Sequence, residues 1–393
     1  VINQAMYALG DEPSAIRELF AYGMARKAEV GAENVFDYSI GNPSVPAPER
    51  VRETILALME EDPVALHGYT PAAGDPAVKQ VIADYLAERY GVPATPGNLY
   101  LTAGAAAGLA ISISALTVPG DEVIVISPYF PEYKTWIDMA GCTIVEVPAS
   151  VPSFQVDAEA VAAAITPRTS AVIINSPNNP VGAVYTRETL EALAAVLVAK
   201  EEELGRPIYL ISDEPYREIT YGAEVPYVPC LYPRTVVCYS YSKALSLPGE
   251  RIGYIYVSDL MPDAAEVSCA VAGAGRALGY ICAPVLLQRV IAACVAEPSD
   301  VAAYAENRRI LTEGLSALGY EYVEPDGAFY LWMKALEDDA QAFSDRAKEF
   351  ELLLVPSDSF GVGGWVRLSY CIARETIERS MPAFAKLMES YRG

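Results

Sequence analysis

At 393 residues the chain is too long for one hydrophobic core, and about 100–200 residues per domain makes two domains the expectation. With 52% hydrophobic and 20% charged residues it is composed as a folded globular protein, and no uncharged apolar run is long enough to span a bilayer. A formal net charge of −23 argues against a nucleic-acid footprint, and a single histidine, His67, disfavours a catalytic triad or a histidine-based metal site, so no metal is expected.

In chain order, residues 14–29 show helical spacing behind a candidate Ser14 cap. DYSIGNPSVPAP (37–48) is punctuated by Gly and Pro and reads as an ordered loop. ERVRETILALMEE and DPAVKQVIADYLAERY are amphipathic helix candidates. Short apolar runs then alternate with helical patterns: EVIVI (122–126), AVIIN (171–175), IYLISD (208–213), VVCYS (236–240) and IGYIYV (252–257), with helices predicted after 104 and 187. That alternation predicts a mainly parallel, doubly wound α/β sheet with helices on both faces. Beyond about 276 come long helices and the strands GAFYLWMK and WVRLSYC, predicting a smaller α+β domain completed by the N-terminal segment. The expected division is 45–275 for the large domain, with 1–44 and 276–393 for the small one. Seven scattered cysteines without CxxC spacing, and no basic-then-apolar start, lead to the expectation of a reduced, cytoplasmic protein.

Ligands of open α/β sheets gather beyond the carboxyl ends of the strands. There the sequence places an amine (Lys243), a carboxylate (Asp213), a turn with two amides (Asn178 and Asn179) and a phenol (Tyr216). Gly104, in LTAGAAAGL, is at a predicted helix start that could receive an anion. A pyridine aldehyde phosphate uses all of these: a Schiff base on the lysine, an acid on the ring nitrogen, and an anion cradle for the phosphate.

With these parts in place the sequence resembles the class I/II aminotransferases, pyridoxal 5′-phosphate enzymes of fold type I. The carriers are SYSKALSLPGERIG (240–253), NSPNNPVGAVY (175–185), SDEPYREI (212–219), IGNP (40–43), PDGAFYLW (325–332) and WVRLSY (365–370), all in family order. The resemblance implies that Lys243 carries the cofactor and shuttles the proton, Asp213 pairs with the pyridinium nitrogen, and Asn179 and Tyr216 contact the ring hydroxyl. Ser240, Ser242 and Arg251 would bind phosphate with backbone near Gly104, Ala105 and Ala106. Phe130 would stack on the ring, with Tyr129 and Tyr133 as rivals. Arg367 would fork the substrate carboxylate, with Asn179 and Gly41 beside it, and Tyr69 would reach the phosphate of a neighbouring subunit in a homodimer.

The implied reaction moves an amino group from an amino acid to a 2-oxo acid in ping-pong fashion. Some aspartate-using relatives place a lysine near the helix that starts at 104; here that stretch is AAAGLA, uncharged. A neutral or aromatic donor is therefore expected, unless an arginine such as Arg276 compensates. The alternatives are a C–S β-lyase on the same fold and, more remotely, a non-enzymatic binding domain.

Overall fold

The computed structural model describes residues 1–11 and 14–392. A two-residue strand, β1 (Phe36–Asp37), comes first. Seven strands follow: β2 (Leu99–Thr102), β3 (Glu122–Ser127), β4 (Thr143–Pro148), β5 (Thr169–Asn175), β6 (Tyr209–Asp213), β7 (Thr235–Ser240) and β8 (Gly253–Val257). They form one sheet in the order β2-β8-β7-β6-β5-β3-β4. Neighbours are parallel except at β8, which runs antiparallel to β7 and β2.

Every residue of β3, β5, β7 and β8 is buried, which is why these strands read as continuous apolar runs. Alternate residues of β5 serve opposite faces. Ala171 and Ile173 meet Leu109, Ile111 and Ile113 of helix Gly104–Leu116, while Val172 and Ile174 meet Leu190, Leu193 and Leu197 of helix Arg187–Leu204. Each such buried aliphatic side chain contributes about 1.5–3 kcal/mol.

Two strands of this sheet escaped the sequence reading. β2 has four residues, and β4 is an edge strand with Val147 as its one fully buried residue, so neither shows a sustained apolar run. Ser14 sits at the start of helix Ala15–Val30, but its hydroxyl makes no capping bond; its carbonyl accepts from Arg17 and Glu18 instead. The helix that begins at Pro76 is capped by Asp75, which accepts from Ala77 and Val78, and closed by Gly91 in the left-handed region.

The C-terminal part adds β9 (Tyr322–Val323), β10 (Tyr330–Lys334), β11 (Leu352–Leu353), β12 (Val355–Pro356) and β13 (Trp365–Ser369). An antiparallel sheet has the order β12-β13-β10-β9, and β11 pairs in parallel with β1. Helices Val301–Leu318 and Arg374–Arg392 pack here through Leu311, Leu315, Phe384 and Leu387, with Tyr38 buried in the same core. Among the described residues no helix is long and apolar enough to cross a membrane.

The chain leaves β3 for β4 on one side and resumes at β5 on the other. The carboxyl ends at this reversal are where α/β sheets bind ligands. Asn175, Asp213 and Ser240 close β5, β6 and β7 at that rim.

Candidate active site

A cavity of about 280 Å³ opens over these strand ends. Gly41, Ala105, Ala106, Phe130, Asn179, Asp213, Tyr216, Ser240, Ser242, Lys243, Arg251 and Arg367 all line it. Seven separate stretches of chain therefore converge on one cavity.

Asp213 is 4% exposed. Its Oδ2 accepts from the Tyr133 hydroxyl at 2.6 Å, and the Asn175 amide donates to its carbonyl at 2.8 Å. Oδ1 is buried without a partner. Burial pushes this carboxyl up to about 7, against the Tyr133 bond and with help from Glu214. A buried acceptor left open is suited to an N–H that a ligand brings.

Lys243 lies in the one-turn helix Tyr241–Ala244, which Ser240 caps by accepting from the Ser242 amide. Its Nζ donates to the Gly41 carbonyl at 2.6 Å. Burial pushes the amine down to about 8, and Arg251 and Arg367 act in the same direction. An amine so shifted is a nucleophile and proton carrier near neutral pH.

The anion end is built around helix Gly104–Leu116, whose first turn has no side-chain cap, so its N–H groups are left for a ligand. Gly104 has φ +80, and a Cβ there would meet Arg251 Nη2 at 2.6 Å. Only glycine lets that guanidinium close on the helix start. Arg251, at φ +54, also reaches Pro248 O (2.8 Å), while Ser240 Oγ and Ser242 Oγ bond each other at 2.8 Å.

Arg367 is 2% exposed and comes from β13. Nη2 donates to Ser39 O at 2.6 Å, Nη1 to Asn179 Oδ1 at 3.1 Å, and Nε has no partner. The Tyr330 ring lies 4.6 Å from the guanidinium carbon. Burial pushes this group down, with Tyr330 and Tyr216 opposing, but a guanidinium stays charged. A buried cation with a free donor suits a carboxylate. Tyr216 bonds Tyr330 hydroxyl to hydroxyl at 2.9 Å.

Of the three aromatics Phe130 lines the cavity, whereas Tyr129 bonds Glu146 and Tyr133 holds Asp213. Tyr69 is not brought to the cavity of its own chain; it is 98% exposed. His67 and Arg276 are exposed as well and do not line the cavity. Three contributors were missed. Asn175 ties Asp213 to the loop by also accepting from the Asn179 amide at 2.7 Å, and Tyr330 and Trp136 line the wall. Asn175 had a signal: a polar residue ending the buried apolar run AVIIN must find partners.

The family "Aminotransferase class I and II" matches residues 33–384. An aspartate/prephenate aminotransferase of Thermus thermophilus is 33% identical over 354 residues, covering 88% of this chain and 89% of that one. An aspartate aminotransferase of Thermotoga maritima is 33% identical over 363 residues, covering 91% and 92%. Among solved structures, an amino transferase from Eubacterium rectale superposes with TM-score 0.97 at 54% identity, covering 100% of both chains. The Thermus thermophilus aspartate aminotransferase with maleate gives TM-score 0.88 at 31% identity, covering 98% and 99%. The arrangement of lysine, aspartate and two arginines around one cavity thus sits on the fold these enzymes share, and the chain belongs to the class I and II aminotransferase family.

Proposed function

We propose that the chain uses pyridoxal 5′-phosphate to move the amino group of a neutral or aromatic amino acid to a 2-oxo acid, in ping-pong fashion and as a homodimer. The observation that carries this reading is one cavity lined by the Lys243 amine, the Asp213 carboxyl with its open Oδ1, and Arg251 with Ala105 and Ala106 of the helix that starts at Gly104. Those three match an aldehyde, a ring N–H and a phosphate. The chemistry supplied by the bound group is a carbon that takes up the amino nitrogen and a ring that accepts the electron pair released at Cα.

The protein's own residues do the rest. Arg367 fixes the donor's carboxylate, so that Cα is presented to Lys243. Nζ of Lys243, shifted down to about 8, takes the proton from Cα and gives it back on the other side of the transfer. Asp213 holds a proton on the ring nitrogen, and Tyr133 and Asn175 keep the carboxylate in place. Asn179 and Tyr216 adjoin as donors to a ring hydroxyl.

Donor preference rests on the apolar part of the wall, which includes Ile16, Ile40, Leu109, Phe130 and Trp136, with no cation among the described residues lining it beyond Lys243, Arg251 and Arg367. Dimer formation is supported by the exposure of Tyr69 beside Tyr280 (44%) and Ile281 (50%), where Cys282 N bonds Ala72 O. The C–S lyase and binding-domain readings gain no support from these relatives, which carry aminotransferase names.

Titrating the full-length chain with pyridoxal 5′-phosphate tests the reading. It should develop an absorbance band that shifts on adding an amino acid and is absent in Lys243→Ala. Comparing aspartate, alanine and phenylalanine with 2-oxoglutarate tests the donor; a strong aspartate preference overturns that part alone.

A further inference from the structure

Tyr330 stands between Tyr216 and Arg367 on the cavity wall. It is 3% exposed and belongs to β10, which pairs with β13 so that Tyr330 lies opposite Ser369 and Trp332 opposite Arg367. Tyr330 and Arg367 are therefore diagonal neighbours on one face of the sheet, a gap that an aromatic and a long side chain can bridge. The Tyr330 ring lies 4.6 Å from the guanidinium carbon, and the Phe360 ring stands 5.3 Å from the same atom.

The far end of the Tyr330 side chain has other neighbours. Its hydroxyl bonds that of Tyr216 at 2.9 Å, and the two rings meet edge to face, 5.6 Å apart at 83°. The hydroxyl also lies against the loop after β1, where a Cβ on Gly41 would collide with it, so glycine leaves room for the phenol. The carbonyl of that same Gly41 accepts from Lys243 Nζ. One side chain thus touches Arg367, Tyr216 and the loop that tethers the amine.

We propose that Tyr330 is a positioning residue with two roles. Its hydroxyl donates to Tyr216 and aims that phenol at the cofactor's ring hydroxyl, while its ring backs Arg367 as the guanidinium grips the donor's carboxylate. The inference rests on the reading above, in which Tyr216 and Arg367 hold those two groups. Counting protons fixes the direction of the bond. Burial pushes both phenols up, so each keeps its one proton near neutral pH. When Tyr216 gives its proton to a ligand, its oxygen can only accept from Tyr330, and a hydroxyl that accepts one bond is polarised to donate another. The ring, for its part, favours the buried cation without occupying its donors, which leaves Nε of Arg367 open.

Two probes separate the two roles, each used with the full-length chain. Pyridoxamine 5′-phosphate carries an amine and does not condense with Lys243; it is titrated into the cofactor-free chain and followed by tryptophan fluorescence, since Trp136 lines the cavity. 3-Phenylpropionate, a carboxylate with no amino group to transfer, is then titrated into the loaded chain. Tyr330→Phe should weaken the first probe about three- to tenfold, the range of one hydrogen bond, and leave the second within about twofold of wild type. Tyr330→Leu should equal it on the first probe and weaken the second about three- to tenfold. In a Tyr216→Phe background, Tyr330→Phe should weaken the first probe no further, whereas a hydroxyl that merely fills space beside Gly41 would matter equally in both backgrounds. Three results overturn the proposal: a Tyr330→Phe chain that binds pyridoxamine 5′-phosphate like wild type, an equal loss in the Tyr216→Phe background, or a Tyr330→Leu chain that binds 3-phenylpropionate as well as Tyr330→Phe does. Should Tyr330→Leu fail to fold, Tyr330→Phe decides: a loss confined to the first probe supports the proposal, and an equal loss on both overturns it. Wild type that does not bind pyridoxamine 5′-phosphate overturns the cofactor reading, and wild type that binds it but not 3-phenylpropionate overturns the donor reading; the proposal falls with either.

Discussion

Asp213 and Lys243 line the same cavity, are displaced from their ordinary values by the same cause, and are held in opposite ways. Burial takes the carboxyl up to about 7 and the amine down to about 8. Asp213 is tied by Tyr133 and Asn175, both placed by the large sheet and its covering helix. Lys243 Nζ has one bond, to a carbonyl in the loop after β1. The difference follows from the work assigned to each. A group that holds a proton on a ring must not move, whereas one that carries a proton between atoms needs a tether it can release.

Removing the mobile partner should have the largest effect. Lys243→Ala should lower the transamination rate by about 10²–10⁴, the range of a lost acid–base group, and still bind pyridoxamine 5′-phosphate. Single-turnover rates and binding on the same preparation check both halves. Next comes the carboxylate fork. Arg367→Leu should reduce kcat/KM by about 10²-fold, with Arg367→Lys recovering little, because a point charge cannot keep the bonds to Ser39 and Asn179 while gripping a carboxylate.

These two residues also mark how far sequence reading went. Lys243 and Asp213 end or follow buried strands of the large sheet, where apolar runs and strand-end residues can be read directly. Arg367 was placed by resemblance alone, because its neighbours Ser39, Asn179 and Tyr330 come from segments far apart in the chain. The short strands β2 and β4 were missed because four residues, or an edge with one buried side chain, carry too little periodicity. Tyr133 was read only as a rival to Phe130 for stacking on the ring, and its bond to Asp213 was not foreseen; nothing in SPYFPEY distinguishes the aromatic that faces a ligand from the one that bonds a carboxylate.

Asp213→Asn sharpens the contrast in a different quantity. The carboxyl is raised from 3.8 to about 7 in the fold, so between those values the native state binds more protons than the unfolded one. Its contribution is therefore lost as pH rises toward 7. The amide should make the cofactor-free chain more stable at pH 8, by on the order of 2–4 kcal/mol, and flatten stability between pH 4 and 7. Affinity for pyridoxamine 5′-phosphate should fall at the same time. Urea denaturation at several pH values measures the first effect. Tyr133→Phe is the milder version: losing one donor to Oδ2 should raise the carboxyl further and weaken probe binding about tenfold near neutrality, recoverably at higher pH.

The smallest expected effect lies on the side of the cavity that the N-terminal segment covers. Helix Ala15–Val30 is anchored where Gly23 meets Leu353; a Cβ at Gly23 would stand 2.7 Å from the Leu353 side chain. That close approach brings Ile16, the second residue of the helix, to the cavity wall that Ile40 also lines. Ile16 offers no polar atom to the amine or the carboxylate fork, but it also packs against the core that holds Leu19 and Leu353, so truncating it removes apolar surface on the donor's side together with part of the helix's packing. Ile16→Ala should raise KM for an aromatic donor about three- to tenfold with kcat nearly unchanged, and leave alanine unaffected. Steady-state kinetics with phenylalanine and alanine distinguish this from a general loosening of the helix, in which both donors would suffer alike.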